Sequence, residues 1–311
     1  MTTVPGLTIH GDDQAGDALA QMQVSRQSLA VVTDSEGQAI GTVLDGDIRR
    51  ASLAGIDMTA PVAEVMGDGR HGSDVEEHPP TIAVILAGGR GQRLRPVTDK
   101  VPKAFLTVGR TTIIERLLEQ LWSAGIADVY LAVNYKAEVF EQRLGDGEGY
   151  GVKLHYLREH KPLHTAGPLS LLPEPPTGSV LVMNADQVTA LNFGRLVDFH
   201  RQQAAAMTIG AFVHEVSIPY GVLRLGGEHV LGIEEKPTLR HLCNAGIYVL
   251  EPDVVDLVPR NTFFGMPSLA EAVLAAGRPV AAFPILEKFI DIGTPEELEA
   301  ALLYFATGEE V

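Results

Sequence analysis

Residues 81–103, TIAVILAGGRGQRLRPVTDKVPK, decide how this chain reads. They open with a wholly apolar run, 81–87, of the length and character of a strand covered on both faces, as in a parallel sheet. The run leaves through Gly88, Gly89 and Gly91 and then delivers Arg90, Arg93, Arg95, Lys100 and Lys103. Glycines let backbone N–H groups approach an anion without Cβ interference, and a loop leaving the carboxyl end of a parallel strand lies where such sheets bind ligands. A phosphate-binding loop is expected. For a lone G-G-x-G, a turn followed by a solvated basic surface would be the better reading, but here the cations stand out from an acidic chain. Asp and Glu number 40 against 24 Lys and Arg, a formal net charge of −16. That excess repels nucleic acid, which is not expected as a partner, and repels any phosphorylated substrate except where positive charge is gathered.

Downstream, strand and helix patterns alternate. Thr112 and Glu115 form a capping-box pair ahead of IIERLLEQLWSA, whose apolar residues make one stripe closed by Gly125. VYLAVN, VKLHYL, SVLVMN, MTIGAFV, NAGIYVL and VAAFPIL read as strands, and LVDFHRQQ, SLAEAVLAA and PEELEAALLYF as helices. An α/β fold with a doubly wound, mostly parallel sheet is predicted. GVLRL and HVLGIEE, joined across Gly226 and Gly227, read as an added hairpin. Upstream, the acidic, Gly- and Pro-rich stretch 67–80 reads as a linker between this domain, 81–311, and a small α+β unit, 1–66, of helix, two strands and helix. No apolar run approaches the roughly 18 residues that cross a bilayer, so no membrane partner is expected. The start MTTVPGLTIHGDDQ lacks the basic and apolar regions of a secretory signal, and Cys243 is the single cysteine, so a reducing cytoplasm is the expected compartment.

The loop departs from G-x-G-x-x-G, with Leu94 where the third glycine is wanted, and lacks a G-K-[ST] ending; dehydrogenase and P-loop readings weaken. Instead, G-G-R-G-Q-R-L-R-P-V-T followed by P-K resembles the nucleoside-triphosphate loop of sugar-1-phosphate nucleotidyltransferases, or NDP-sugar pyrophosphorylases, and the similarity runs over about 81–305. The resemblance implies a Rossmann-like nucleotidyltransferase domain with nucleotide contacts at Leu86, Ala87, Gly88, Gly89, Gly91, Gln92, His164 and Thr165. It places Arg93 against the leaving pyrophosphate and Lys103 against the transferred α-phosphoryl group. Gln92 stands where Ser or Thr is common, and His164, in KPLHTAG, stands at the glycine of the family's base-side L-G-T-A-G.

Asp186 follows one apolar strand and Asp291 another. Either carboxylate alone reads as a cap or turn; together, at the edge bearing the glycine loop, they suit Mg²⁺, which takes one or two carboxylates plus substrate phosphate oxygens. The family's N-G-D and D-I-G supply its magnesium aspartates, here N-A-D with Ala185, and D-I-G. Glu235 and Lys236 of IEEKP, which in isolation read as a solvated strand end, match the family's sugar and sugar-phosphate contacts, and Asn244 of NAGIY matches another sugar-site position.

Residues 28–50 resemble one CBS motif, a module usually paired in tandem; Asp47 is kept, but Leu44 fills the hydroxyl position three residues before it. A single copy would expose Leu29, Val31 and Val43 unless the large domain covers them, so a homo-oligomer is expected. The combined expectation is a cytoplasmic guanylyltransferase-like enzyme joining NTP, GTP favoured, to a sugar 1-phosphate with Mg²⁺, as in surface-glycan synthesis. Use of TTP, UTP or CTP, and a non-catalytic protein that senses nucleotide sugar, stand as alternatives.

Overall fold

The run 81–87 does become a central strand. In the computed structural model, which describes residues 6–67 and 79–306, seven strands form the main sheet. They are Ile82–Leu86 (β1), Asp128–Val133 (β2), Lys153–Arg158 (β3), Val180–Asn184 (β4), Met207–Ser217 (β5), Thr238–Leu250 (β6) and Val280–Pro284 (β7). Their order is β7-β5-β6-β4-β1-β2-β3, and only β6 runs against the others. Side chains alternate across the sheet. Ala83 and Ile85 of β1 enter one core with Ile113, Leu117 and Leu196, whereas Val84 enters the other with Met266, Leu269 and Val273. A strand buried on both faces therefore needs apolar residues at every position, which is what 82–86 supplies.

Helix Ile113–Ser123 starts as expected: the Thr112 N–H donates to Glu115 Oε2 at 2.8 Å, the Glu115 N–H donates to Thr112 Oγ1 at 3.4 Å, and Gly125 beyond its end has a left-handed φ of 76°. From β1 the chain builds β2 and β3 on one side, then crosses to place β4 on the other. The crevice between the carboxyl ends of β1 and β4 is thus a topological switch point, where open α/β sheets bind ligands.

Two additions lie outside this plan. Beyond the sheet, β5 and β6 continue as a two-stranded ribbon to the pair Ser217 and Thr238, and the hairpin Gly221–Gly226 with His229–Glu235 joins its end. The amino-terminal unit has its own three-stranded sheet, Leu7–His10 parallel to Leu29–Thr33, which is antiparallel to Ala39–Leu44. Helices Ala15–Val24, Asp45–Leu53 and Val62–Val65 complete it. The sequence reading contained its two later strands and two long helices but not Leu7–His10. Ile9, Met22, Val43 and Ile48 form its separate core, joined by Leu286 of the large domain. Val43 is fully buried there, contrary to the exposure expected of an unpaired copy, because it faces the unit's own helices; Leu29 is 47% exposed. Most of the expected linker lies outside the described residues. Among the described residues no helix is long and apolar enough to cross a membrane.

Candidate active site

At the switch point the glycine loop, Lys103 and Asp186 line one cleft of about 540 Å³, whose wall also includes Gln92, Arg93 and Gly293. The loop is held from below: the Ala87 N–H donates to the Ala132 carbonyl at 2.8 Å, and the Ala185 N–H donates to the Leu86 carbonyl at 3.1 Å. Gly91 has φ of 58°, and a Cβ there would lie 2.9 Å from Thr98 Cγ2; Thr98 Oγ1 donates to the Gly91 carbonyl at 2.8 Å. Only glycine fits this turn without displacing Thr98. Gly89 has open space around it.

Lys103 and Asp186 meet directly, Nζ donating to Oδ2 at 2.6 Å, with side chains 12% and 32% exposed. The other oxygen, Asp186 Oδ1, is buried with no hydrogen-bond partner. Asp291 arrives on the short strand Phe289–Asp291, antiparallel to Gln187–Thr189 with Gln187 opposite Asp291, and the Ile292 N–H donates to the Asp186 carbonyl at 3.0 Å. Asp291 is an exposed residue whose carboxyl is nonetheless partly desolvated by the groups packed around it. It is held above the ordinary aspartate range first by this partial burial and then by the negative charge of Asp186, with Lys103 and Arg93 opposing. A lone buried oxygen beside a second carboxylate that resists ionisation is a set that a hard divalent cation would satisfy, given phosphate oxygens from a substrate. Among the described residues no cluster of three or more His, Cys, Asp or Glu is placed to hold a metal by itself.

Arg93 spans the turn after Asp291: a Cβ on Gly293 would lie 3.0 Å from Arg93 Nη2. The following helix, Pro295–Ala306, is capped by Thr294 and Glu297, whose Oε2 accepts the Gly293 and Thr294 N–H groups at 2.7 Å. Asn244 donates to Tyr248 Oη at 2.9 Å, and its Oδ1 accepts the Gly246 N–H at 2.9 Å. Gly246, at φ of 71°, is pressed against the Asn184 and Gln187 amides, which brings NAGIY to the strand end that carries Asp186. Ala185 is absent from the left-handed residues, so replacing the family's glycine there strains nothing.

His164 does adopt a glycine-like backbone, φ 68°. Its ring leaves the cleft, lying 4.7 Å from the Phe263 ring with Nδ1 3.1 Å from Thr165 Oγ1, and Thr165 Oγ1 accepts the Met266 N–H at 2.8 Å. Neither residue lines the cleft. Glu235 and Lys236 are exposed on the ribbon hairpin, likewise outside the cleft lining. Lys236 has a left-handed backbone, φ 48°, and its N–H donates to the Tyr220 carbonyl at 3.3 Å.

One residue beside the glycine loop, outside the cleft lining, carries no signal in the sequence. Glu159 Oε2 accepts the Leu163 N–H at 2.8 Å, while Oε1 lies 2.6 Å from where a Gly88 Cβ would sit. Burial pushes its carboxyl above the ordinary range. In LREHKPL it is one more charged residue at a strand end, and only the folding of 159–164 over the glycine loop gives it a role.

The nucleotidyl transferase family model matches residues 82–307. The chain belongs to that family. A mannose-1-phosphate guanyltransferase of Yarrowia lipolytica is 36% identical over 234 residues, 72% of this chain and 64% of the relative. The mannose-1-phosphate guanylyltransferase of Mycobacterium tuberculosis is 32% identical over 223 residues, covering 69% and 62%. This nucleotidyl transferase therefore spans a little under two thirds of the length of these relatives. A crystal structure of HddC from Yersinia pseudotuberculosis complexed with GMP-PN shares its fold, with a TM-score of 0.55 and 25% identity over 73% of this chain and 100% of that one. The amino-terminal unit precedes the family match.

Proposed function

We infer that the protein is a cytoplasmic enzyme that transfers a guanylyl group from GTP to a sugar 1-phosphate, mannose 1-phosphate first among candidates, releasing pyrophosphate. The observation that carries this reading is the meeting of Lys103 and Asp186 beneath a glycine loop, in a chain similar to mannose-1-phosphate guanyltransferases. In the reaction a phosphate oxygen of the sugar 1-phosphate attacks the α-phosphorus of the NTP in line, and the bond to the bridging oxygen breaks as pyrophosphate leaves. The loop N–H groups of 88–91 hold the triphosphate, Lys103 offsets charge on the transferred phosphoryl group, and Arg93 offsets charge on pyrophosphate. Asp186 and Asp291 would hold Mg²⁺, which when bound supplies charge neutralisation and alignment of the phosphates. Asn244 is assigned to the sugar side, and the sugar and sugar-phosphate roles of Glu235 and Lys236 rest on the family resemblance of IEEKP. No covalent protein intermediate is required; positioning carries the rate.

Guanine is favoured by Glu159, whose Oε1 accepts no hydrogen bond among the described residues and lies beside the loop at Gly88. A carboxylate accepts only, and guanine alone among the common bases offers two adjacent donors, N1–H and N2–H, on one edge. With four NTPs and a panel of sugar 1-phosphates, pyrophosphate release is expected to be fastest with GTP, by about tenfold or more in kcat/KM. Glu159→Gln should narrow that preference while leaving kcat with saturating GTP within a few-fold. Equal use of all four NTPs would remove the guanine assignment.

The same reading keeps residues 1–66 as a CBS-like unit on a linker at 67–80, with a packing role. Asp47, the residue retained from that motif, is spent inside the unit: it accepts the Leu44 N–H at 2.9 Å and pairs with Arg50. Leu29 and Ile40, both more than 45% exposed, support a homo-oligomer. Light scattering of the full chain should give at least twice the 33.3 kDa chain mass; a monomer mass at micromolar concentration would refute it.

A further inference from the structure

Four buried charged side chains tie the amino-terminal unit to the large domain. Arg49, on helix Asp45–Leu53, donates from Nε to Asp45 Oδ1 at 2.7 Å, from Nη1 to the Pro284 carbonyl at 2.8 Å and from Nη2 to Glu287 Oε1 at 2.6 Å. Asp45 also accepts from Arg195 Nη1, while Arg195 Nη2 donates to the carbonyls of Met22 and Gln27 at 2.8 and 2.7 Å. Gln23 adds a bond to Glu287 Oε1 at 2.7 Å, and the Arg49 guanidinium lies 4.3 Å from the Phe283 ring centre. The side chains of Arg49, Glu287, Asp45 and Arg195 are 0%, 1%, 9% and 9% exposed.

Where this network ends is what gives it meaning. Arg195 belongs to helix Phe193–Gln202, which follows Gln187–Thr189, the strand immediately after Asp186. Pro284 and Glu287 immediately precede Phe289–Asp291. Those two short strands pair with each other and carry the two aspartates at their shared end. The unit thus grips both flanks of the piece on which Asp186 and Asp291 are mounted. An interface that needed adhesion alone would do as well with apolar side chains, as Leu286 does beside it, because buried ion pairs recover little net stability after desolvation. Their geometry is what apolar contacts cannot supply: a guanidinium fork fixes its acceptors in direction as well as distance.

We propose that Arg49 is a positioning residue, which through Glu287 and the Pro284 carbonyl fixes segment 284–291 and with it the placement of Asp291 against Asp186. The link to catalysis rests on the metal role inferred above for the two aspartates.

The test uses the full chain with Arg49→Met, Arg49→Lys and, as a control of similar burial, Val43→Ala, which opens the core that Leu286 packs against but removes no hydrogen bond to 284–291. Circular dichroism sets a temperature at which each variant is folded. Amide hydrogen exchange over 285–293 and Mn²⁺ binding by electron paramagnetic resonance are then compared. Arg49→Met should raise both the exchange rate of 285–293 and the Mn²⁺ Kd by about tenfold, with Val43→Ala within about twofold of the parent in both. Arg49→Lys, which keeps the charge but loses the fork, should fall between; should Arg49→Met not fold, it carries the test alone. Parent-like exchange over 285–293 in whichever Arg49 variant folds, or equal loosening by Val43→Ala, would overturn the proposal. Absence of Mn²⁺ binding by the parent would instead remove the metal reading, and the exchange comparison would still decide the role of Arg49.

Discussion

Asp186→Asn and Asp291→Asn should each lower kcat by about 10²–10³-fold or more, with the melting temperature and circular dichroism close to the parent's. Amide for carboxylate keeps size and shape, so the local packing survives. What is lost is charge. Asp186 Oδ1 is a buried oxygen without a partner, and Asp291 is a carboxyl that its surroundings already push toward the neutral form. The proposed Mg²⁺ role draws on both features, an oxygen left unsatisfied and a second negative charge disfavoured, and Asn at either place removes one of the two carboxylates that would attract the cation. Pyrophosphate release measured against magnesium concentration checks it. If both variants turn over at near the parent rate at low magnesium, the assignment falls.

Lys103→Met is expected to cost about 10²–10³-fold in kcat on the role proposed for it, because its ammonium lies in the cleft against Asp186 and is only 12% exposed, so solvent screens it little. Lys103→Arg should recover little of this: a planar fork cannot replace a compact point charge 2.6 Å from Asp186 Oδ2. Steady-state kinetics separate two roles. A fall in kcat marks an interaction made in the transition state, whereas a rise in KM alone would reassign Lys103 to ground-state binding.

The parts of this architecture that could be read from sequence are those where one local rule was enough. An unbroken apolar run gave β1, a capping box gave the start of helix Ile113–Ser123, and Gly226–Gly227 gave the hairpin turn. Asp186 and Lys103 were named from motifs, and the fold brings them into contact. Strand ends were less legible: β5 and β6 run on through HEVS and TLRHLC, where side chains are mostly exposed on both faces and no alternation marks them. Helix Ala137–Leu144 was missed because only Phe140 and Leu144 of it are buried, too few to form a stripe. Glu159, Arg49 and Arg195 carried no signal at all. Their meaning depends on partners far away in the chain, and a charged residue on a helix reads as solvated until the element that buries it is known.

The pairing of Gln187–Thr189 with Phe289–Asp291 has a consequence for biosynthesis. Asp186 and Asp291 are more than a hundred residues apart, and the strand that delivers the second belongs to the last stretch of the described chain to leave the ribosome. Closing a loop of that length costs about 4 kcal/mol of chain entropy, recovered only when both short strands and the helix after Asp291 have docked. The glycine loop, Lys103 and Asp186 are all synthesised before Asp291, the second carboxylate of the proposed metal pair. A nascent chain that can hold a nucleotide before it can react with it would gain a folding ligand without releasing premature product, and regain of activity on refolding would trail regain of helix and strand content.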